Sequence, residues 1–302
     1  MHEGSRKAIL AALAANAGIA VAKLIGFLLT GAASLLAEAV HSLADTANQA
    51  LLLLGGSRAR HEATQSHPFG YGRERYFWAF IVALVLFLLG GVFAIVEGFD
   101  KLQHPHVLES LPIAVGILLV AIVLEGFSLR TAIHEASLQR GTDSWWAFIR
   151  HSKGPELPVV LLEDTGALLG LVLALAGVGL GAVTDNARWD AVGSLGIGIL
   201  LVGIAAVLVV EMKSLLIGES ASPADVAAIR SAIERSPGVC QVIHLRTEHL
   251  GPDELLVGAK VEFDHGLTLP EVAARIDEAE VNMRTAVPKA RVIYIEPDVA
   301  RT

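Results

Sequence analysis

His41 and Asp45 stand one helical turn apart in a stretch, residues 33–54, that is mostly Ala, Leu and Val. A charge near a bilayer centre costs at least ~2.5–3.5 kcal/mol even on the lenient insertion scale. Chains keep such groups where they face a polar interior and act there. Imidazole and carboxylate at i, i+4 project from one helix face, and together they suit a borderline divalent ion such as zinc. Glu38, His41, Asp45 and Asn48 continue the 3-4-3 spacing, with Gln49 beside them. This stripe must face protein or water rather than lipid. For Asn48 and Gln49 the simpler reading is a polar seam between helices.

A second acidic pair, Glu163 and Asp164, lies early in another apolar stretch. Asp164 is about 10 Å in from the near end at 1.5 Å per residue, a depth that Asp45 can share. Asp45, Asp164 and His41 make three candidate ligands, where a zinc site usually has four. Glu163 is a candidate for the fourth, although it points ~100° away from Asp164 around the helix. It could instead accept protons or contact another helix. Lys23 and Glu38 flank the hairpin turn near Gly31 at similar separations, so they are expected to pair and to leave the metal to the others. Glu125 either snorkels or helps a cavity conduct protons. Asp190 fits a helix N-terminal cap.

Six apolar stretches of about the length a bilayer requires carry these residues: 9–29, 33–54, 78–96, 111–129, 159–180 and 191–210. Hydrophobic residues are 53% of the 302, charged residues only 18%, against ~25% in a soluble domain. The fold class expected is a six-helix transmembrane bundle, all-α, over residues 1–215. Arg and Lys gather at the N-terminus, in loop 55–77 and in loop 130–158. By the positive-inside rule both termini are then cytoplasmic, in a bacterial inner membrane. The first apolar stretch is too long for a signal-peptide core.

From about Ser222 the texture is that of a soluble domain. Helical periodicity covers 223–235 and 269–286, the second opened by Thr268. Strand-like alternation covers 239–249, 254–263 and 291–296. An αββαβ order predicts a small α+β, ferredoxin-like tail over residues 216–302, with two helices on a three-stranded sheet. One cysteine, Cys240, excludes an intrachain disulfide and a CxxC zinc site. The net charge of −8 argues against a nucleic-acid partner.

The segment Ser34–Gln49, the loop His67-Pro-Phe-Gly-Tyr-Gly-Arg73 and the stretch Gly238–Thr247 together resemble the cation diffusion facilitator family of zinc transporters. The Leu-Glu-Asp-Thr run at 162–165 resembles the branch that contains the mitochondrial zinc transporter nine. The resemblance implies export of divalent transition metals from the cytosol by exchange with protons, with Zn²⁺ as substrate, no prosthetic group, no catalysis, and a homodimer. It also implies a tetrahedral site with two ligands from the second helix and two from the fifth. His41, Asp45 and Asp164 match three of those positions; the fourth is Val160, which cannot bind a metal. His67 and His244 match secondary ligand positions, but Tyr71, Lys260 and the late Tyr294–Pro297 run lack the accompanying histidines. The tail is therefore expected to serve mainly in dimerisation, with His249 and His265 on the surface. A harder, carboxylate-rich site would favour Mn²⁺, Fe²⁺ or Co²⁺ more than usual. The alternatives are a membrane metal sensor or scaffold, and an intramembrane metalloenzyme with Glu163 as base.

Overall fold

The computed structural model describes residues 3–30, 33–104, 111–186 and 188–300; at 3–5, 26–27, 29–30 and 33–41 it describes the backbone without the side chains. The chain divides into two compact units, Met1–Arg58 with Glu74–Lys213, and Ala59–Arg73 with Ser214–Thr302. The sequence reading assigned 59–73 to the membrane part; here that loop groups with the tail.

Among its described residues the first unit forms helices and no strand. Its elements are α1 (Glu3–Thr30), α2 (Ala33–Arg58), α3 (Glu74–Val85), a π-helical turn (Leu86–Val92), α4 (Phe93–Gln103), α5 (Leu111–Arg140), a short α6 (Trp145–His151), α7 (Glu156–Thr184) and α8 (Arg188–Ile217). Among the described residues, five stretches are long and apolar enough to cross a membrane: Arg6–Ile25, Glu74–Gln103, Leu111–Arg140, Glu156–Thr184 and Arg188–Ile217. The polar stripe of α2 weakens its apolar character. Its 26 residues, at 1.5 Å each, still reach farther than the ~30 Å hydrocarbon core.

Helices in lipid associate by close packing rather than by hydrophobic burial, so small residues mark their contacts. α5 follows this rule. Its buried residues are Ala121, Glu125, Ser128, Ala132 and Ala136, a stripe of small side chains with one exception. α8 meets the π turn and α4 through glycine. A Cβ on Gly198 would lie 2.8 Å from the Ile95 nitrogen and 2.9 Å from the Gly91 oxygen. Backbone cannot swing aside as a flexible side chain can. Gly198→Ala is therefore expected to destabilise the bundle by about 1–3 kcal/mol, the usual cost of overpacking. Thermal unfolding of the protein in detergent measures it; an unchanged melting temperature would refute the packing argument.

The second unit holds α9 (Pro223–Glu234), β1 (Val239–Gly251), β2 (Glu254–Phe263), α10 (Leu269–Ala286) and β3 (Ala290–Pro297), the αββαβ order expected. The sheet runs β1-β2-β3, with β1 antiparallel and β3 parallel to the central β2. Alternate residues of β2, Leu255, Val257, Ala259, Val261 and Phe263, are buried. With Ile229 and Ile233 of α9 and Met283 of α10 they form one core. Each large side chain there contributes ~1.5–3 kcal/mol of burial.

Both helices begin where their sequences say. Ser222 caps α9 ahead of Pro223, accepting from the Asp225 amide. Thr268 and Glu271 form a reciprocal capping box on α10. Partial burial acts to raise the Asp225 carboxyl, but hydrogen bonds from Lys289 and Ser222 outweigh it and hold it below its ordinary value. A depressed folded-state value gives stability that is complete above the unfolded value of ~3.9 and is lost as pH falls through the folded one. Lys289→Ala is therefore expected to speed hydrogen exchange in α9 at neutral pH, by the ~0.2–1 kcal/mol of a partly exposed pair. That difference should vanish once Asp225 is protonated.

His249 corrects the expectation of a surface histidine: it is 0% exposed. β1 runs on to Gly251, and a register shift near its end breaks the alternation. The His249 amide donates to the Glu219 carbonyl at 2.8 Å, and its ring Nδ1 lies 3.2 Å from the Gly251 oxygen. Loop 59–73 covers the same end. Gly72 sits against the Leu250 and Gly251 backbone, and Arg73 pairs with Glu248. His265 is exposed, beside Glu262.

Candidate metal site within the membrane unit

A cavity of about 50 Å³ opens inside the helical unit. All six long helical segments wall it: α1 gives Asn16, α2 Asp45, the π turn Leu86, α5 Glu125, α7 Glu163 and Asp164, and α8 Ile197 and Leu201. Asp45 and Asp164 thus line one space. Glu125, Glu163 and Asp164 are buried to within 4% exposure. Glu125 therefore does not snorkel.

Neighbouring side chains hold Asp164 and Glu163. Asp164 Oδ2 accepts from the Ser128 hydroxyl of α5 at 2.7 Å. Glu163 Oε1 accepts from Asn48 Nδ2 at 2.9 Å, and its Oε2 accepts from Gln49 Nε2 at 2.7 Å. Gln49 in turn accepts from Asn16 at 3.4 Å. The seam foreseen for Asn48 and Gln49 is thus a clamp on Glu163, which neither residue type nor spacing announced. A purely apolar α2 would leave that carboxylate without donors.

Lys23 donates to the Ser42 hydroxyl at 2.9 Å. The side chains of His41 and Glu38, and with them the expected Lys23–Glu38 pair, lie outside the described residues. Val160 is fully buried. Asp190, read as a cap, pairs with Lys101 at 3.0 Å, and Lys101 also reaches Glu97.

The electrostatics are one-sided. The buried cationic side chains among the described residues are Lys23 and Arg75, and Arg75 is engaged by the buried Glu156. Four carboxyl groups therefore face one cavity with Lys23 nearby. Neutrality there must come from protons or from a bound cation. Among the described residues no three acid or imidazole groups already converge on one point as a metal shell would.

The secondary positions are weaker. The His67 ring stacks against Tyr71 at 4.6 Å and is exposed. His244 is exposed on β1, directly across from Lys260. Lys260 is bonded to Glu296 and Asp298, which hold its ammonium above the ordinary value. A charged ammonium opposite His244 repels a second cation.

A family model of the cation efflux transmembrane domain matches residues 9–217, and one of the cation efflux protein cytoplasmic domain matches residues 221–298. The chain belongs to the cation efflux family. It is an integral, multi-pass membrane protein with a C-terminal α+β domain of that family. It is 34% identical over 264 residues to the mouse mitochondrial proton-coupled zinc antiporter SLC30A9, covering 87% of this chain and 47% of that protein. It is 30% identical over 250 residues to metal tolerance protein C4 of Arabidopsis thaliana, covering 82% and 54%. It is 26% identical over 300 residues to the cation-efflux pump FieF of Pectobacterium atrosepticum, covering 98% and 94%. The chain spans about half the length of the mitochondrial and plant relatives.

Proposed function

We propose that this protein is a secondary transporter that moves divalent transition-metal cations, Zn²⁺ foremost, out of the cytosol in exchange for protons. The observation that carries the reading is the intramembrane cavity with four carboxyl groups and a deficit of positive charge. Such a space binds a divalent ion or protons in turn, because ligands must lose protons to bind metal. The relatives' names support the same reading: a proton-coupled zinc antiporter supports the exchange, and a cation-efflux pump supports the efflux.

Asp45 and Asp164 are the ligands, joined by His41 one turn before Asp45. An imidazole with an unperturbed pKa of ~6.5 exchanges protons in the physiological range. Proton competition on the far side releases the ion. Both termini lie on the side of the basic loops, the cytoplasmic face of a bacterial inner membrane. The tail holds two copies together as a homodimer.

The test is metal flux in proteoliposomes with an imposed pH gradient, comparing Zn²⁺, Mn²⁺, Fe²⁺ and Co²⁺. Uptake that collapses with the gradient supports antiport. Zero flux for every metal sinks it and favours a sensor. The buried Val160 one turn before Asp164 supports a second reading of selectivity, in which the harder ions move faster than Zn²⁺.

A further inference from the structure

We propose that Glu125 is a ligand of the intramembrane metal site, supplying from α5 the donor that Val160 withholds on α7. The inference rests on the transport reading and names its ligand set. Three observations lead to it. Glu125 is 4% exposed and lines the cavity shared by Asp45 and Asp164. It is the sole acid in a buried α5 stripe that otherwise holds alanines and Ser128. Ser128, three residues on and so on the same face, bonds Asp164, which fixes the Glu125 face of α5 against the Asp164 face of α7.

The carboxylates differ in how far they are already engaged. Both oxygens of Glu163 accept side-chain amide donors, as in a structural clamp between α2 and α7. One Asp164 oxygen is held by Ser128 and the other is left for an ion. No hydrogen bond engages Glu125 among the described residues; the charged groups that act on it are Asp164, Asp45 and Lys23. A buried carboxylate that lines a cavity beside other acids lacks a reason in helix packing, where alanine would serve better. It has a reason as a ligand.

The cavity, about 50 Å³, exceeds the ~10–15 Å³ that one water requires. An ion can therefore keep water in its shell while Asp45, Glu125 and Asp164 close around it. Three carboxylates from three helices make a site richer in oxygen than one built on paired imidazoles. Such a site accepts Mn²⁺ and Fe²⁺ better relative to Zn²⁺.

The experiment is calorimetric titration of Zn²⁺ and Mn²⁺ into the purified full chain in detergent, with proteoliposome flux measured in parallel. Glu125→Gln keeps shape and removes charge. It is expected to weaken both metals by at least the ~10–100-fold typical of losing an outer-shell partner, while the protein stays monodisperse. Adding Val160→His to Glu125→Gln should restore Zn²⁺ binding more than Mn²⁺ binding, since it returns an imidazole to the Asp164 face. Glu125→Gln that binds both metals within twofold of the wild type overturns the assignment. So does lost binding that Val160→His leaves unrestored for Zn²⁺. If Glu125→Gln does not fold, Glu125→His answers instead. It should keep Zn²⁺ and lose Mn²⁺, and an unchanged ratio overturns the proposal. Normal flux that requires Asp45 but not Glu125 rejects this ligand alone. Absence of both binding and flux in the wild type rejects the transport reading and this assignment with it.

Discussion

Asp45→Ala is expected to abolish pH-driven Zn²⁺ flux and, in the absence of metal, to leave the protein as stable as before or more so. The loss should exceed the ~10–100-fold that follows removal of an outer-shell partner, because in the proposed site Asp45 is itself a ligand. The stability half follows from the charge imbalance. Asp45 shares its cavity with Glu125, Glu163 and Asp164, so deleting one acid relieves repulsion among the rest. A structural role predicts the opposite sign. If Asp45→Ala lost flux only because it melted early, the site assignment would fail. Flux in proteoliposomes and thermal unfolding in detergent, taken on one preparation, separate the two cases.

Arg75→Ala should produce the largest loss of stability in the membrane unit, about 3–5 kcal/mol, the usual cost of stripping one partner from a buried ion pair. Arg75 and Glu156 have side chains only 3% and 1% exposed. The contact is two-pronged: Nε meets Oε1, and a terminal guanidinium nitrogen meets Oε2 at 2.8 Å. It ties the first turn of α3 to the first turn of α7, and α7 carries Asp164 about two turns further on. Lysine should rescue poorly, because it offers a point charge in place of a planar fork. Replacing both partners, as Arg75→Met with Glu156→Leu, should recover most of the loss, since the two desolvation costs disappear together. Melting temperatures of the two singles and the double decide it. Additive losses would show that the pair is not coupled.

The sequence made some of this legible and hid the rest for identifiable reasons. The tail could be read because period-2 and period-3.6 patterns alternate cleanly, and because Ser222, Thr268 and their neighbours punctuate the helices. The acids of α2 and α7 stood out because charge is costly in lipid. Which acid does what was harder to see. Glu163 and Asp164 are adjacent, and only the Asn48 and Gln49 amides distinguish the clamped one from the other. Glu125 gave no spacing signal, since its partners come from other helices. His249 was misread because a strand's alternation does not reveal that its end is covered from outside by residues 59–73 and 219.

The π turn at Leu86–Val92 acts on the rest of its span as a phase slip. One residue beyond the α-helical count rotates everything after it by ~100°. Before it, Tyr76, Ala79, Val82 and Ala83 face inward. From its end onward, Gly91 within the turn and Gly98 beyond it meet Val202 and Leu195 of α8, while Phe93 looks outward at 48% exposure. An unbroken helix would carry the inward face through Phe93 and Glu97 instead, and no side chain of that size fits where α8 approaches. The slip thus lets one continuous rod present a bulky half, ending at Leu86 on the cavity wall, and a glycine seam beyond it, with both halves turned toward the same interior.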